Sequence, residues 1–421
     1  MNRGVFMESY TQQMNYFGNT NPEALLAKYG SPLYVYNEDI LRRQMRRVAG
    51  ILVNHRFTSN YSIKANSNLS ILRMAYEEGL NADAMSPGDI YMIKKAGFPS
   101  DRIFFVPNNV SEEEMQYAID EGVMLSVDSL SQLEMFGRLC PGGRLSVRLN
   151  PGVGAGHHEK VVTAGKKTKF GVAAQDIAKI NDVAKKYDLH IVGLNQHIGS
   201  LFMDFQPYLD AVSNFLHYAE DFEELEFVDF GGGFGTPYHK LEGETEFDIE
   251  SFKVALDQLL TDWKKKTGRD LLFKMEPGRY IASEGGVLLG SVYAVKENYG
   301  HKYIGTDIGM NVLFRPALYD AYHDVEIYRD GKPVIDGTKE IYSVVGNICE
   351  TGDIVAKDRE LPKTQVGDVA VVLDAGAYGY SMSSNYNNRL RPAEVLIDQD
   401  GNDRLIRRRD TFDDLMRGFE I

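Results

Sequence analysis

FTSNYSIKANSNLSILRMAYEEGLNADAMSPGDIYMIKKAG, residues 57–97, sets the pattern of the chain. FTSNYSI is a short run rich in β-branched and aromatic residues and predicts a strand. NLSILRMAYEEG places apolar residues at helical spacing, opens on Asn68 and closes on Gly79, as helix capping requires. The unit repeats at once with NADA and then PGDIYMIKKAG behind Ser86. Further along, short runs at 57–63, 81–84, 102–106, 123–127, 144–149, 191–196, 226–230 and 272–276 alternate with amphipathic segments such as SEEEMQYAIDEG, SLSQLEMFGRL and AQDIAKINDVAKKY. Eight strand candidates, each followed by a helix or a long loop, match the count for a closed (β/α)8 barrel of the TIM type. A doubly wound open sheet is the alternative architecture.

After about residue 282 the texture changes to alternating strands, GSVYAVKENY, HKYIGTDI, KEIYSVVGNI and VAVVLDAGAY, separated by turn-rich stretches. They predict a second, mostly β domain of sandwich or barrel type. The N-terminal helix EALLAKYG and strand PLYVYN need not belong to the barrel and could complete this domain. The expected organisation is therefore a barrel over 36–282, with 1–35 and 283–421 forming the β domain. The run RLIRRRD near the C-terminus reads as one solvated strand edge.

Composition narrows the function. With 43% hydrophobic and 25% charged residues over 421 positions, the chain is globular rather than disordered or fibrous. Its 60 acidic against 46 basic residues give a net charge of −14, which argues against nucleic acid or an anionic membrane as partner. Cys140 and Cys349 cannot form a disulfide framework, and no apolar stretch is long enough for a membrane span. The opening MNRGVFMESYTQQMNYFG lacks the features of a signal peptide, so a cytoplasmic protein acting on small molecules is expected.

In such a barrel the chemistry lies where the strands end at their C-terminal side. The runs end in Lys64 (YSIKAN), Asp83 (NADAMS), His197 (NQHIGS), the glycines of DFGGGFG (Gly231, Gly232, Gly233 and Gly235) and Glu276 (MEPGR). Lys64 is either a solvated strand terminus or, in a partly dry barrel mouth, an amine able to form a Schiff base. The glycines are either a tight turn or a loop whose N–H groups converge on a phosphate, with Ser200 and Arg279 as further donors. Glu276 is either a surface carboxylate or the partner that keeps a bound pyridinium nitrogen protonated. His197 suits stacking on a cofactor ring better than a core or metal-ligand role, since no other ligand lies at close spacing; no metal is expected. His157 and His158 lie in a long loop between the fifth and sixth strands, which suggests a lid or binding loop rather than a metal site. In the β domain Cys349 is a candidate proton donor or a small buried hydrophobe. Tyr378 is a phosphate contact or a core tyrosine, and Arg315 clamps a carboxylate or pairs with a surface acid.

Taken in order, YSIKAN, HIGS, GGGFG, EPGR, RPALYxAxH, ICExGD, GAYG and MSSNYNxRxRPAEVL resemble the pyridoxal-phosphate decarboxylases of the alanine-racemase-like fold, and within them most closely the diaminopimelate decarboxylases, from about residue 30 to the C-terminus. The resemblance implies that Lys64 carries the cofactor, Glu276 holds its ring nitrogen, His197 stacks on it and Asp83 lies near the lysine. Ser200, Gly231 to Gly235, Gly278, Arg279 and Tyr378 are then the phosphate and cofactor contacts. Arg279, Arg315, Tyr319, Glu350 and Tyr378 are implied to bind substrate, with Cys349 as proton donor. A racemase of this superfamily has arginine where Glu276 stands, so the glutamate argues for decarboxylation. The implied activity is conversion of meso-2,6-diaminopimelate to L-lysine and CO2, the last step of lysine biosynthesis, by a homodimer with shared active sites. The rivals are a decarboxylase of D-ornithine or D-lysine, and a catalytically inactive regulatory relative. The chain departs from the family at Leu201, where Gln is usual, at Val110, where Lys is frequent, and in ICETGD for ICESGD; the first two positions bear on substrate identity.

Overall fold

The computed structural model describes residues 9–152 and 168–420. His157 and His158 lie outside the described residues. The chain divides into two compact units: one comprises Arg42–Thr236 and Glu246–Ile281, the other the chain up to Leu41, Pro237–Thr245 and the chain from Ala282 on.

In the first unit eight parallel strands close into a barrel: β1 Phe57–Ser62, β2 Asn81–Ala84, β3 Ile103–Phe105, β4 Met124–Val127, β5 Arg144–Asn150, β6 His190–Asn195, β7 Phe227–Asp229 and β8 Leu272–Met275. Each pairs with its sequence neighbour, and β8 closes the ring on β1 through Phe273↔Phe57 and Met275↔Ser59. This is the TIM-type barrel the periodicity predicts, and the open-sheet alternative falls away. Helix boundaries follow the predicted caps. Ser86 accepts from the Asp89 N–H ahead of helix Pro87–Ala96, which Gly97 ends in a left-handed conformation, and Ser111 forms a full capping box with Glu114. After β8 only the single turn Arg279–Ala282 follows in place of a barrel helix.

The second unit is a curled, mostly antiparallel sheet. Strand Leu33–Asn37 lies between Gly286–Asn298, antiparallel to it, and Ala393–Ile397, parallel to it. The 13-residue strand Gly286–Asn298 pairs with Val369–Val372 along its first part and with His301–Thr306 along its second, across a bulge between Val292 and Ala294. Tyr16, Leu25, Leu33, Val35, Leu289, Val371 and Val395 form its core. Residues 237–245 depart from the β7 loop yet belong to this unit. The Lys240 ammonium reaches Asp374 at 2.7 Å, the Leu241 N–H donates to Asp324, and Ser283 Oγ donates to the Tyr238 hydroxyl. No described helix is long and apolar enough to cross a membrane.

Candidate active site

Side chains alternate across a strand, so register decides which residues enter the barrel. Phe104 on β3 and Phe227 on β7 meet edge to face at 5.5 Å, which fixes them and their register partners Asp83, Gly193 and Leu272 as inward-facing. Two residues further along β6, β7 and β8 the inward positions turn polar: Asn195, Asp229 and Lys274, with Glu276 just beyond β8. A barrel interior is ordinarily packed with bulky aliphatic side chains. A charged upper layer beneath the strand ends therefore marks where the chemistry sits.

Lys64 stands on a single helical turn, Ile63–Ala65, immediately after β1. It is exposed in the chain, whereas its neighbours Ile63 and Ala65 are buried. Its charge acts on four groups of other elements, Asp83, Asp89, His197 and Glu276. Burial pushes the Asp83 carboxyl well above the usual range, helped by Glu276, while Lys64 and the Ser62 hydroxyl at 3.0 Å draw it back. Burial also raises Glu276, and Lys64, Arg148 and Lys274 oppose the rise. Burial, then Lys64 and Arg148, hold the His197 imidazole well below its ordinary pKa. The Gly232 N–H donates to His197 Nδ1 at 3.2 Å, which leaves the ring proton on Nε2 and the imidazole neutral.

The glycine loop folds back over this group. Gly231 takes φ +73°, open to glycine at little cost, and a Cβ on Gly232 would stand 2.0 Å from the Glu276 carbonyl oxygen. The N–H groups of Gly231, Gly232 and Gly235 donate to Asp229, His197 and the Phe202 carbonyl, whereas that of Gly233 donates to no described residue. Arg279, buried beside Gly278, directs Nε and Nη2 at Ser200 Oγ, 3.2 Å from each. The next residue, Leu201, has φ +69°, so the position that departs from the family also carries backbone strain. Val110, the other departure, is buried.

These residues fit pyridoxal phosphate. Glu276 is buried with Oε1 lacking a hydrogen-bond partner among the described residues, a costly arrangement that an N–H of a cationic ring would relieve. The Gly233 N–H, Ser200 and Arg279 offer donors suited to a phosphate, and His197 offers an uncharged flat ring.

In the β unit the remaining candidates fall on three segments. Cys349 and Glu350 are exposed on the loop 346–353, and Asp353 fixes that loop by accepting the Met310 and Ile348 N–H groups at 2.5 and 2.7 Å. Asn387 Nδ2 donates to Cys349 Sγ at 3.0 Å, and the Tyr386 hydroxyl donates to Glu350. Cys349 lines a cavity of about 1070 Å³ with Lys296, Asp307, Arg389 and Arg409. Arg315 is buried, 4.5 Å from the Tyr238 ring centroid, and donates to His323 Nε2 at 2.8 Å; His323 Nδ1 in turn donates to the Leu373 carbonyl at 2.8 Å. Tyr319 and Tyr378 are partly buried, the latter at φ +58°. Asp353 and His323 escaped the sequence reading, although both stand inside motifs it singled out. Arg148, Asp229 and Lys274 escaped it because SVRLN, EFVDF and LLFKM read as ordinary strands.

Comparison with known proteins gives the family and the fold. Residues 38–283 match the family model for the pyridoxal binding domain of pyridoxal-dependent decarboxylases. The diaminopimelate decarboxylase of Methanothermobacter thermautotrophicus is 41% identical over 96% of this chain and 95% of its own. Two solved structures, the diaminopimelate decarboxylases of Helicobacter pylori and Methanocaldococcus jannaschii, both in complex with L-lysine, superpose with a TM-score of 0.86 at 31% and 33% identity. They cover 94% of this chain and 98% and 94% of their own.

Proposed function

The chain belongs to the diaminopimelate decarboxylases, and from that premise we propose how its own residues carry the reaction. It is a pyridoxal-phosphate-dependent carboxy-lyase that converts meso-2,6-diaminopimelate to L-lysine and CO2, the last step of lysine biosynthesis. The observation that carries the assignment of residues is the convergence of the Lys64 charge on Asp83, Glu276 and His197 beside the Ser200–Arg279 contact.

Bound there, pyridoxal phosphate supplies an electron sink for the pair left on the α-carbon as CO2 departs. Lys64 would hold it through its amine. Ser200, Arg279 and the loop Gly231, Gly232, Gly233 and Gly235 hold the phosphate, with Gly278 shaping the turn and Tyr378 adding a hydroxyl. Neutral His197 packs on the ring without competing for its charge, Asp83 stands by the lysine, and anionic Glu276 secures the ring nitrogen. Cys349, oriented by Asn387, delivers a proton to the α-carbon. Arg315, Tyr319, Glu350 and Arg279 bind the distal, zwitterionic end of the substrate.

The active form in this reading is a cytoplasmic homodimer in which Cys349 and Glu350 of one chain complete the barrel mouth of the other. The exposure of Cys349 and Glu350 on one loop, and of Lys64 at a barrel mouth, supports it. A distal carboxylate distinguishes diaminopimelate from D-ornithine and D-lysine, and an arginine reading it should account for the preference. Arg315→Ala is expected to lower kcat/KM for meso-diaminopimelate at least about tenfold, since a charge-assisted hydrogen bond contributes about 1.5–3 kcal/mol. Arg315→Lys, which keeps the charge and a donor for His323, should recover part of the loss. Unchanged discrimination against D-lysine in both variants would remove Arg315 from the substrate site. Absorbance of the purified protein in the pyridoxal-phosphate region, together with release of CO2, excludes the inactive-relative alternative.

A further inference from the structure

Arg315 opens the short helix Arg315–Tyr319, which Asp320 ends at φ +53°, and the chain then comes back so that His323 meets Arg315. His323 stands just before strand Val325–Arg329, and Leu373 directly follows strand Val369–Val372. Those strands pair antiparallel with Val325 opposite Val372, and the Leu373 N–H donates to the Asp324 carbonyl at 2.9 Å, so the register brings His323 to the Leu373 carbonyl. Two contacts of the imidazole have a fixed direction. A guanidinium can only donate, so Nε2 accepts from Arg315 Nη1 at 2.8 Å; a carbonyl can only accept, so Nδ1 carries the ring proton and donates to Leu373 at 2.8 Å. Both side chains are buried. Tyr238 meets each of them, with Arg315 Cζ 4.5 Å from its ring centroid and the His323 ring packed edge to face at 5.3 Å.

We propose that His323 is a positioning residue for substrate selection: anchored to the sheet through Leu373, it holds the Arg315 guanidinium over Tyr238 in the orientation that reads a distal carboxylate. A guanidinium is a planar fork, so fixing Nη1 and one face sets the direction of its other donors. The imidazole in this tautomer is neutral, and it orients the cation without cancelling its charge, as a carboxylate in the same place would. Losing the bond removes a constraint on a long, rotamer-rich side chain, and the substrate would then have to order it on binding. The inference rests on the reading of Arg315 as a contact of the substrate's distal end.

The test measures inhibition of the holoenzyme by two probes: L-lysine, which keeps the ammonium and carboxylate of the distal end, and 1,5-diaminopentane, which lacks that carboxylate. His323→Phe retains a buried ring and removes both nitrogens. It should weaken inhibition by L-lysine about tenfold, the scale of one charge-assisted hydrogen bond, and leave that by 1,5-diaminopentane within about twofold. KM for meso-diaminopimelate should rise by a similar factor with kcat little changed. His323→Gln, whose amide supplies one donor and one acceptor, should recover most of the loss. In an Arg315→Ala background His323→Phe should add nothing further, because it acts through Arg315. If Arg315→Ala collapses the ratio of the two inhibition constants while His323→Phe preserves it, the role of His323 is overturned and that of Arg315 stands. A ratio that survives Arg315→Ala overturns both. Should His323→Phe fail to fold, His323→Leu takes its place, and a preserved ratio there, or equal weakening of both probes, contradicts the proposal.

Discussion

Lys64→Ala is expected to fold, to hold pyridoxal phosphate without a covalent bond, and to lose decarboxylase activity by on the order of a thousandfold. The helical turn that carries Lys64 is held by the buried side chains of Ile63 and Ala65, and the amine itself is exposed, so truncation removes chemistry rather than packing. It also takes away the cation that opposes the raised pKa values of Asp83 and Glu276. The variant should therefore bind cofactor more weakly and release it first at low pH, where those carboxyl groups are protonated. Borohydride reduction of the wild-type holoenzyme followed by peptide mapping should place the pyridoxyl group on Lys64. Label on any other lysine contradicts the assignment.

The second large effect concerns sites shared between chains. Cys349→Ala should retain the cofactor yet turn over slowly, because the α-carbon loses its proton donor. Mixed with Lys64→Ala and allowed to exchange subunits, the two nearly inactive proteins should regain activity. Random reassortment makes half of the dimers mixed, each with one intact site of two, so about a quarter of wild-type activity returns. Absence of recovery, with exchange demonstrated independently, would mean that each site is built within one chain.

Much of the barrel is legible from the sequence because its signal is local. All eight strand runs fall on observed strands, and Ser86, Ser111 and Gly97 cap helices as their chemistry dictates. What local patterning cannot carry is the parity of a strand. LLFKM, with one charge, and EFVDF, with two, read as ordinary strands, and only the register with neighbouring strands turns Lys274 and Asp229 inward as a facing pair. Long-range contacts are equally silent: nothing in TPYHKLEGET announces that Lys240 reaches Asp374, and so the loop between β7 and the next helix is drawn into the β unit. The candidate site was sought at strand ends, a rule of the barrel, and the Lys64 charge acts there on Asp83, His197 and Glu276. Arg148 and Lys274, whose charges also oppose the rise of Glu276, stand within the strands, where no motif points.

The most direct test of the account is a substrate panel on the purified holoenzyme, with CO2 and amine products measured together. Meso-diaminopimelate should be consumed with one L-lysine and one CO2 formed per molecule, and D-lysine and D-ornithine should be turned over far more slowly. Faster turnover of either D-amino acid, or CO2 release from meso-diaminopimelate without L-lysine, would contradict it.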